Sequence, residues 1–522
     1  MEEKKLLIKG SYIEENNGLY RMTTPIIENG KEYTVYIEVE KEYAQYLTPE
    51  RADAQVFLAL PVAVREGYDI YCETPVTEMF LHNLNEILIP HLALGDSRIH
   101  KIQIHARTDD TPIGGKAVGT GISCGVDSLF TVKEYTDKKY PGMDLTHLFI
   151  ASLNMELIDT RNADLNEWVK QHKEEFDRYE IVSKETNLPL VKMYTNYFFY
   201  ICGSDFGRDW KWYHHLYTHT YITMAAVLSL KKLWRIYYFA SSYDFTSFTL
   251  KNNFTNDPAH YEVLCMHTLS VPDFICYSGG ACYNRFEKTK ALIDYPVAQK
   301  TLHPCHSKGE KNCSKPDCDK CLRALLVFDY YDKLDNFQNV FDIAAYRRNH
   351  NKYLYNLVKL YHNSFSRAFY EQIYDLIKEK YPHEMAQAEA LYEWDASPTV
   401  QKWEYNIINR SYETALAMLK LDNPSSVLKN YFTSVGIKKL YISGAPRLGE
   451  VIKKLLANFS DEIQVFDYHN GKAQNCDAVL ILDAANSVIE RKSKVFEGAG
   501  IQKKNIYSFF DLKNILEGKR DS

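Results

Sequence analysis

The chain lacks long uninterrupted apolar segments and any surplus of positive charge. Its longest apolar run, Val56 to Val64, is far shorter than the ~20 residues that a membrane-spanning helix needs. Lys and Arg together number 62 against 68 for Asp and Glu, which gives a formal net charge of -6. We therefore expect no membrane span, and the charge balance argues against broad electrostatic binding to nucleic acid.

Two further absences concern targeting and linkers. Glu2 and Glu3 stand where a secretion signal carries positive charge, and no apolar core follows them. No low-complexity linker interrupts a composition of 45% apolar and 25% charged residues, which is typical of globular proteins. At roughly 150 residues per domain, a chain of 522 residues predicts three or four domains. The expected location is the cytoplasm.

The hydrophobic pattern divides the chain into four regions. Residues 1–110 alternate with period two, which predicts a β-rich N-terminal domain interrupted by one helix, Val76 to Leu92. In residues 111–325 apolar strands alternate with amphipathic helices, which predicts a parallel sheet covered on both faces. Residues 326–430 show only helical spacing, and residues 431–522 alternate again, as in a small Rossmann-like domain. The predicted fold class is α/β.

The stretch AVGTGISCGVDSLFTVKEY has the pattern of a strand, a tight turn and a helix. A small residue lets the backbone approach a ligand, hydroxyls flank the turn, and the first helical turn presents unpaired N–H groups. Together these features form a cradle for phosphate. The candidate phosphate-binding residues are Ser123, Cys124, Gly125, Val126, Asp127 and Ser128. A capped helix start that binds no ligand is the structural alternative.

Within this loop, Gly125 is expected to take dihedrals closed to other residues, and Asp127 to cap the helix or help to hold Mg²⁺. The loop is not of the kinase type, because no lysine followed by Ser or Thr stands at its seventh and eighth positions. SCGVDS closely resembles the SGGxDS loop of the PP-loop, or N-type, ATP pyrophosphatases. Cys124 replaces the first glycine, and its Cβ disfavours a positive φ there.

This resemblance implies a parallel-sheet PP-loop core in which the loop grips the β- and γ-phosphates of ATP. An acid of the substrate then attacks the α-phosphate and forms an acyl or imidyl adenylate. The resemblance places Asn154 and Ser152 near the ribose or the adenine, and the basic residues Arg285, Lys288 and Lys290 near the nucleotide. A solvated helix face is the alternative for these three basic residues.

Four cysteines are crowded into the segment LHPCHSKGEKNCSKPDCDKCLRALL. They are Cys305, Cys313, Cys318 and Cys321, and the last two form a C-x-x-C knuckle of the kind that binds zinc. An iron–sulfur cluster or four metal-free cysteines are the alternatives. His303 or His306 could replace one thiolate in the ligand set.

The four-cysteine loop, followed by Leu322 and Arg323, is similar to the zinc loop of the 7-cyano-7-deazaguanine synthases, which are PP-loop enzymes. The resemblance covers about residues 116–323, somewhat under half of the chain. It implies Zn²⁺ as a cofactor and a polar turn at Tyr243 and Asp244 beside the substrate.

Other motifs give weaker indications. His214, His215 and His219 precede an apolar helix, where a histidine is more often structural than catalytic. The turn GAPRLG, Gly444 to Gly449, has a dinucleotide-binding pattern, and Asp467 ends the next strand as an acidic ribose ligand would. Pro446, however, occupies the place of the second glycine, which favours a partner or a metabolite there.

The expected function is that of an ATP-dependent ligase, which adenylates a carboxylate or an amide oxygen and releases pyrophosphate. Asp127, Arg285 and Lys288 are its candidate catalytic residues, and ATP, Mg²⁺ and Zn²⁺ its cofactors. The alternatives are thiolation of a nucleoside or tRNA and non-catalytic nucleotide binding. The substrate acid or amide and the formation of a homo-oligomer stay open.

Overall fold

The computed structural model describes the chain with gaps between the described ranges. These ranges are residues 5–136, 140, 142–153, 164–202, 215–251, 257–305, 307, 309–363, 367–395, 414–415, 417–418, 420–444, 446–457, 461–467, 476–482 and 486–518. The chain divides into two units, Met1–Met385 and Ala386–Ser522. Within the described residues, none of the helices combines the length and the apolar character needed to cross a membrane.

The strands of the first unit form one mixed sheet of eleven strands. In chain order they are β1 (Lys5–Ile8), β2 (Tyr12–Asn16), β3 (Leu19–Glu28), β4 (Lys31–Glu40), β5 (Asp69–Cys72), β6 (Ile104–His105), β7 (Ala117–Gly121), β8 (His147–Ala151), β9 (Leu190–Thr195), β10 (Trp234–Ala240) and β11 (Ile275–Gly279). Their spatial order is β11-β10-β7-β8-β9-β4-β3-β1-β5-β6, and β2 pairs with β3.

Strands β7 to β11 form a parallel block with β7 at its centre. The strand β7 pairs in parallel with β8 on one side and with β10 on the other. The chain therefore fills one side of β7 first and crosses to the other side afterwards, which creates a topological switch point between β7 and β10. In open α/β sheets, ligands bind outside the carboxyl ends of the strands at such a point. The predicted α/β class is confirmed.

Helices connect and cover these strands. In the first unit they are α1 (Asp53–Glu66), α2 (Glu78–His82), a π-helical stretch (Asn83–Leu88), α3 (Ile89–Gly95), α4 (Val126–Thr136), α5 (Leu165–Gln171), α6 (Lys173–Thr186), α7 (Tyr197–Cys202), α8 (His215–Leu228), α9 (Glu262–Leu269), α10 (Arg285–Ala291), α11 (Pro296–Thr301), α12 (Asp319–Tyr330), α13 (Ile343–Arg348), α14 (His350–His362) and α15 (Glu371–Lys380). Short 3-10 helices cover Lys41–Tyr46, Phe245–Ser247, Pro258–His260, Leu334–Phe337 and Arg367–Phe369.

Helix α1 corrects one sequence-based expectation. Only one helix was expected among the N-terminal strands, but α1 adds a second over the apolar run that contains Pro61. Nearly all of its residues are buried, and it packs against α8 in the core. A helix that is buried on all sides shows no amphipathic stripe, and an internal proline normally opposes a helix. The sequence of α1 therefore contained no pattern that indicated a helix and one residue that argued against it.

The N-terminal strands are part of the same sheet as the parallel block. Strand β4 pairs antiparallel with β9, although the sequence places a domain boundary at residue 110 between them. At this junction the buried carboxylate of Glu38 on β4 connects β3 and helix α5, because it lies 2.7 Å from Nη2 of Arg21 and accepts the backbone N–H of Leu165 at 3.1 Å. Asn16 donates a further hydrogen bond of 2.9 Å to the same carboxylate.

The second unit contains a parallel sheet of four strands, in the order β13-β12-β14-β15. These are β12 (Lys439–Gly444), β13 (Gln464–Asp467), β14 (Ala478–Leu482) and β15 (Ile506–Ser508). Its helices are α17 (Pro424–Ser434), α18 (Pro446–Ala457), α19 (Asn486–Gly498) and α20 (Phe509–Leu516), with a 3-10 helix at Lys503–Asn505, and α16 (Pro382–Asp395) contains the boundary between the units. Leu448, Ile452 and Leu456 of α18 are buried, whereas Val451 is 45% exposed.

The ion pair at the junction gives a stability prediction. Arg21→Ala removes the cation from a carboxylate that stays buried, so the free energy of unfolding should fall by about 3 kcal/mol or more. Lys9→Ala is the matched control, because Lys9 and its partner Glu32 are both exposed and the change should cost less than about 1 kcal/mol. Chemical denaturation measures both variants, and equal losses would contradict the role of Glu38.

Candidate functional site

The predicted phosphate loop lies at the carboxyl end of β7, and helix α4 begins within it at Val126. The hydroxyl of Ser128 donates to the carbonyl of Gly125 at 3.2 Å, and the Ser123 hydroxyl accepts the N–H of Gly125 at 3.3 Å. The two hydroxyl oxygens are 3.1 Å apart. The serines therefore close the turn and present their hydroxyls together at the start of a helix, where an anion is stabilised.

Cys124 holds the unusual backbone conformation of this loop. Its φ is 55°, in the left-handed region, whereas Gly125, for which that freedom was expected, has no positive φ. Such a conformation costs a residue with a Cβ about 1 kcal/mol, and the backbone N–H of His303 supports it by donating to the Cys124 carbonyl at 2.7 Å. The thiol is fully buried, which raises its pKa to about 12, so it is no nucleophile at neutral pH.

Asp127, on the first turn of α4, meets two cations from helix α10. Nη2 of Arg285 donates to Oδ2 of Asp127 at 2.9 Å and to the Ser242 carbonyl at 2.9 Å. Nζ of Lys288 donates to the Ser241 carbonyl at 2.6 Å and lies 3.6 Å from Oδ1 of Asp127. Because the two cations are three positions apart on α10, they share one face of the helix.

The switch point described above is where these groups converge. Ser241 and Ser242 directly follow β10, and the phosphate loop follows β7, so the site lies at the two carboxyl ends. Lys288 is fully buried, and this burial lowers its pKa, while the charge of Asp127 acts in the opposite direction. Two cations and one carboxylate thus lie at the point of the sheet where an anionic ligand is expected.

Glu262 is a candidate that sequence reasoning missed. It is the first residue of α9 and is almost fully buried. Burial raises the pKa of its carboxyl group to about 8, although the nearby Ser241 and the charge of Lys288 act in the opposite direction. A carboxyl group with this pKa can hold or release a proton near neutral pH. A single glutamate before an apolar helix carries no sequence signal for such a role.

Phe369, from the helical region beyond the PP-loop resemblance, also reaches this site. Its ring centroid lies 5.3 Å from that of Tyr243, which itself stacks on His260 at 4.3 Å. The guanidinium carbons of Arg285 and Arg323 lie 5.6 Å and 5.3 Å from the centre of the Phe369 ring. Helical periodicity could not reveal this contact, because it depends on how distant segments pack together.

Other predicted residues have structural partners or lie outside the described ranges. Asn154 and His214 fall outside the described residues. Buried Ser152 bridges β8 to β9 through the backbone of Thr195, at 2.7 and 3.0 Å. Nζ of Lys290 lies 5.3 Å from the Tyr331 ring.

Two further predicted residues have local partners. Asp244 accepts the N–H of Thr246 at 2.9 Å and so caps a 3-10 helix. Nδ1 of His219 lies 3.9 Å from Oδ1 of Asp257. Each of these contacts accounts for the residue within the fold.

In the second unit, the segment with the predicted dinucleotide-binding pattern spans the end of β12 and the start of α18. Ala445, the side chains of Pro446 and Asp467, and the residues that follow β13 lie outside the described part of the chain. Ser443 at the end of β12 is buried, and Nζ of Lys492 lies 3.4 Å from its hydroxyl. Cofactor binding at this turn stays a prediction.

The four clustered cysteines come together around one point. Sγ of Cys305 lies 3.8 Å from Sγ of Cys318, that of Cys313 lies 3.6 Å from that of Cys321, and all four sulfurs are within 4.8 Å of one another. A tetrahedral zinc ion with Zn–S bonds of about 2.3 Å places its sulfurs about 3.8 Å apart. In a four-iron cluster each thiolate binds a different iron, which requires wider spacing. The thiols could therefore hold a single metal ion such as zinc.

Side chains outside the cluster fix the shape of this loop. Buried Asn312 donates to the carbonyls of Leu302 and Val340, both at 2.9 Å, and accepts the N–H of Cys305 at 3.2 Å. His303 lies next to the cluster, with Nδ1 3.1 Å from the Cys305 carbonyl, and His306 falls outside the described residues. Within the described part of the chain, the group that could hold a metal contains the four cysteines alone.

The chain matches no family model, and it matches neither the curated proteins nor the solved structures. The assignments above therefore depend on the geometry of the site alone.

Metal analysis tests the cysteine cluster. Protein purified without oxygen should contain about one zinc ion per chain, and the double change Cys318→Ser with Cys321→Ser should remove it and lower the melting temperature. Cys282→Ser is the matched control, because Cys282 is exposed and lies outside the cluster. Iron in place of zinc would contradict the zinc assignment, and a metal-free wild-type protein would contradict the site.

Proposed function

We propose that this protein is an ATP pyrophosphatase of the PP-loop type that forms an adenylate. It would bind ATP with Mg²⁺ at the switch point, transfer AMP to a carboxylate or amide oxygen of its substrate, and then let ammonia or another nitrogen nucleophile displace the AMP. The proposal would make the chain a ligase that forms a C–N bond. Ser123, Cys124, Gly125, Val126, Asp127 and Ser128 form its phosphate loop.

The observation that carries this proposal is the convergence of Arg285 and Lys288 on Asp127 at the carboxyl end of β7. The loop offers hydroxyls and helical N–H groups to the outer phosphates of ATP. The two cations stand where the charge of a departing pyrophosphate would develop, and such groups stabilise a phosphoryl-transfer transition state when they are fixed in advance. The pairing of both cations with Asp127 fixes them before ATP arrives.

Two steps make up the proposed reaction. First, the substrate oxygen attacks the α-phosphorus, the bond from that phosphorus to the bridging oxygen of the β-phosphate breaks, and pyrophosphate leaves with the electron pair. Second, a nitrogen nucleophile attacks the activated carbon, the bond to the AMP oxygen breaks, and the nucleophile loses a proton. Mg²⁺ would neutralise phosphate charge when bound, and Asp127 is the loop carboxylate suited to hold it. Glu262 is the nearby group whose pKa suits it to accept the proton.

The thiolation alternative has less support from these residues. Sulfur transfer needs an accessible thiolate, whereas the thiol of the loop itself, that of Cys124, is buried with a raised pKa, and the four clustered cysteines are grouped so that they could hold a metal. Non-catalytic nucleotide binding would follow if Cys124 had deformed the loop. The loop instead keeps the left-handed turn at this position, with the Ser123 and Ser128 hydroxyls 3.1 Å apart.

Gly125→Val tests nucleotide binding. The added Cβ would stand 3.3 Å from the Ser123 hydroxyl oxygen and its methyl groups would crowd the cradle, so ATP affinity should fall at least tenfold without loss of folding. The control is Gly498→Val, since a Cβ at Gly498 meets no atom within 4 Å. Calorimetry measures both affinities, and an unchanged affinity in Gly125→Val would show that the loop has been misinterpreted.

The products of ATP cleavage test the chemistry. With a substrate acid labelled with ¹⁸O in its carboxylate, we expect AMP that carries the label together with pyrophosphate, because the loop would hold the outer phosphates as one unit. Cell extract or panels of candidate acids supply the substrate, and mass spectrometry of the nucleotides reads the label. Release of ADP and phosphate would overturn the proposed function, and unlabelled AMP would reduce it to hydrolysis by water.

A further inference from the structure

Arg323, on helix α12, is a buried cation with unused hydrogen-bond donors. Its side chain is 10% exposed, and its ion pair with Asp319 is long, at 3.5 Å, to a carboxylate that is 54% exposed. The guanidinium carbon also lies 5.3 Å and 5.6 Å from the ring centres of Phe369 and Tyr370. A guanidinium carries five N–H donors, and one long ion pair leaves several of them available to a ligand.

The position of Arg323 relates it to the site at the switch point. Phe369 contacts the guanidinium of Arg323 and that of Arg285, and the latter binds Asp127 of the phosphate loop. The ring of Tyr243 also contacts Phe369. In addition, helix α10, which carries Arg285, packs against both α4 and α12. Arg323 is therefore a second arginine near the candidate site, in contact with two aromatic rings and with one long ion pair to Asp319.

Two of the four clustered cysteines lie at the start of the helix that carries Arg323. Cys318 occupies the N-cap position of α12, Cys321 lies in its first turn, and Arg323 follows two residues later. On the other side of the cluster, the chain from Cys305 leads back to His303, whose N–H supports the Cys124 carbonyl of the phosphate loop. A metal ion bound by the four thiols would thus fix both the loop and the helix that carries Arg323.

We propose that Arg323 binds a phosphate oxyanion of the nucleotide or of pyrophosphate, and that the metal ion of the cysteine cluster holds Arg323 in position for it. This inference rests on the proposed function and adds to it a further binding residue and a task for the metal. Because its ion pair with Asp319 is long and that carboxylate is exposed, Arg323 can still offer two parallel N–H groups to phosphate oxygens. Binding would also satisfy the donors that the fold leaves unused.

Arg323→Gln tests the binding role, with pyrophosphate and ATP as separate calorimetric probes. We expect each affinity to fall about tenfold, because a hydrogen bond to a charged group contributes about this factor to binding. The zinc content and the melting temperature should stay at their wild-type values. Arg323→Lys keeps the charge without the fork of N–H groups and should give an intermediate loss. Arg347→Gln is the matched control, because Arg347 is 57% exposed and pairs with exposed Asp335.

The outcomes separate this inference from the proposed function. If Gly125→Val abolishes binding but Arg323→Gln binds both probes as tightly as the wild type, Arg323 has no such role and the proposed function stands. If the wild-type protein binds neither ATP nor pyrophosphate, the proposed function falls and this inference falls with it.

Metal removal tests the positioning role. Wild-type protein freed of zinc by a chelator should bind pyrophosphate at least tenfold more weakly, and added zinc should restore the affinity. Circular dichroism shows whether the rest of the fold is kept. Equal affinities with and without zinc in folded protein would overturn the part assigned to the metal.

Discussion

The ion pair between Arg285 and Asp127 is the contact on which the candidate site depends. It joins helix α10, which follows β11, to the phosphate loop, which follows β7. These are the last and the first strands of the parallel block in chain order. Lys288 is buried beneath this pair, and a buried cation is tolerated only where carboxylate and carbonyl oxygens surround it. Removal of the Asp127 carboxylate would therefore take away the negative charge beside both Arg285 and Lys288, and it would also alter the loop.

Much of the parallel block could be predicted because its signals are local. Apolar stretches of strand length at residues 116–123, 147–154 and 188–196 contain β7, β8 and β9, and the stretch at residues 235–241 overlaps β10, which begins one residue earlier. The spacing of the four cysteines likewise indicated a cluster that the structure brings together. In both cases a short segment encodes its own geometry, through hydrophobic alternation or through a tight turn between ligands.

Features that depend on packing between distant segments could not be predicted. Phe369 meets Tyr243 only because the helical region folds back onto the parallel block. Glu262 has a raised pKa because neighbouring segments bury it, which no pattern around residue 262 reveals. The turn at Cys124 shows the same limit, since residue type alone assigned the left-handed conformation to the adjacent glycine. A tertiary contact, the hydrogen bond from the His303 N–H to the Cys124 carbonyl, instead supports the left-handed conformation at Cys124.

The antiparallel pairing of β4 with β9 has a practical consequence for work on this protein. A fragment that starts at residue 111 would contain the complete parallel block, yet it would leave the whole edge of β9 unpaired, with the residues opposite Ile37, Glu38 and Val39 uncovered. Exposed edges of this kind recruit strands from other molecules. The N-terminal strands therefore cover an edge that a fragment beginning at residue 111 would expose, so we expect such a fragment to aggregate more readily than the whole chain.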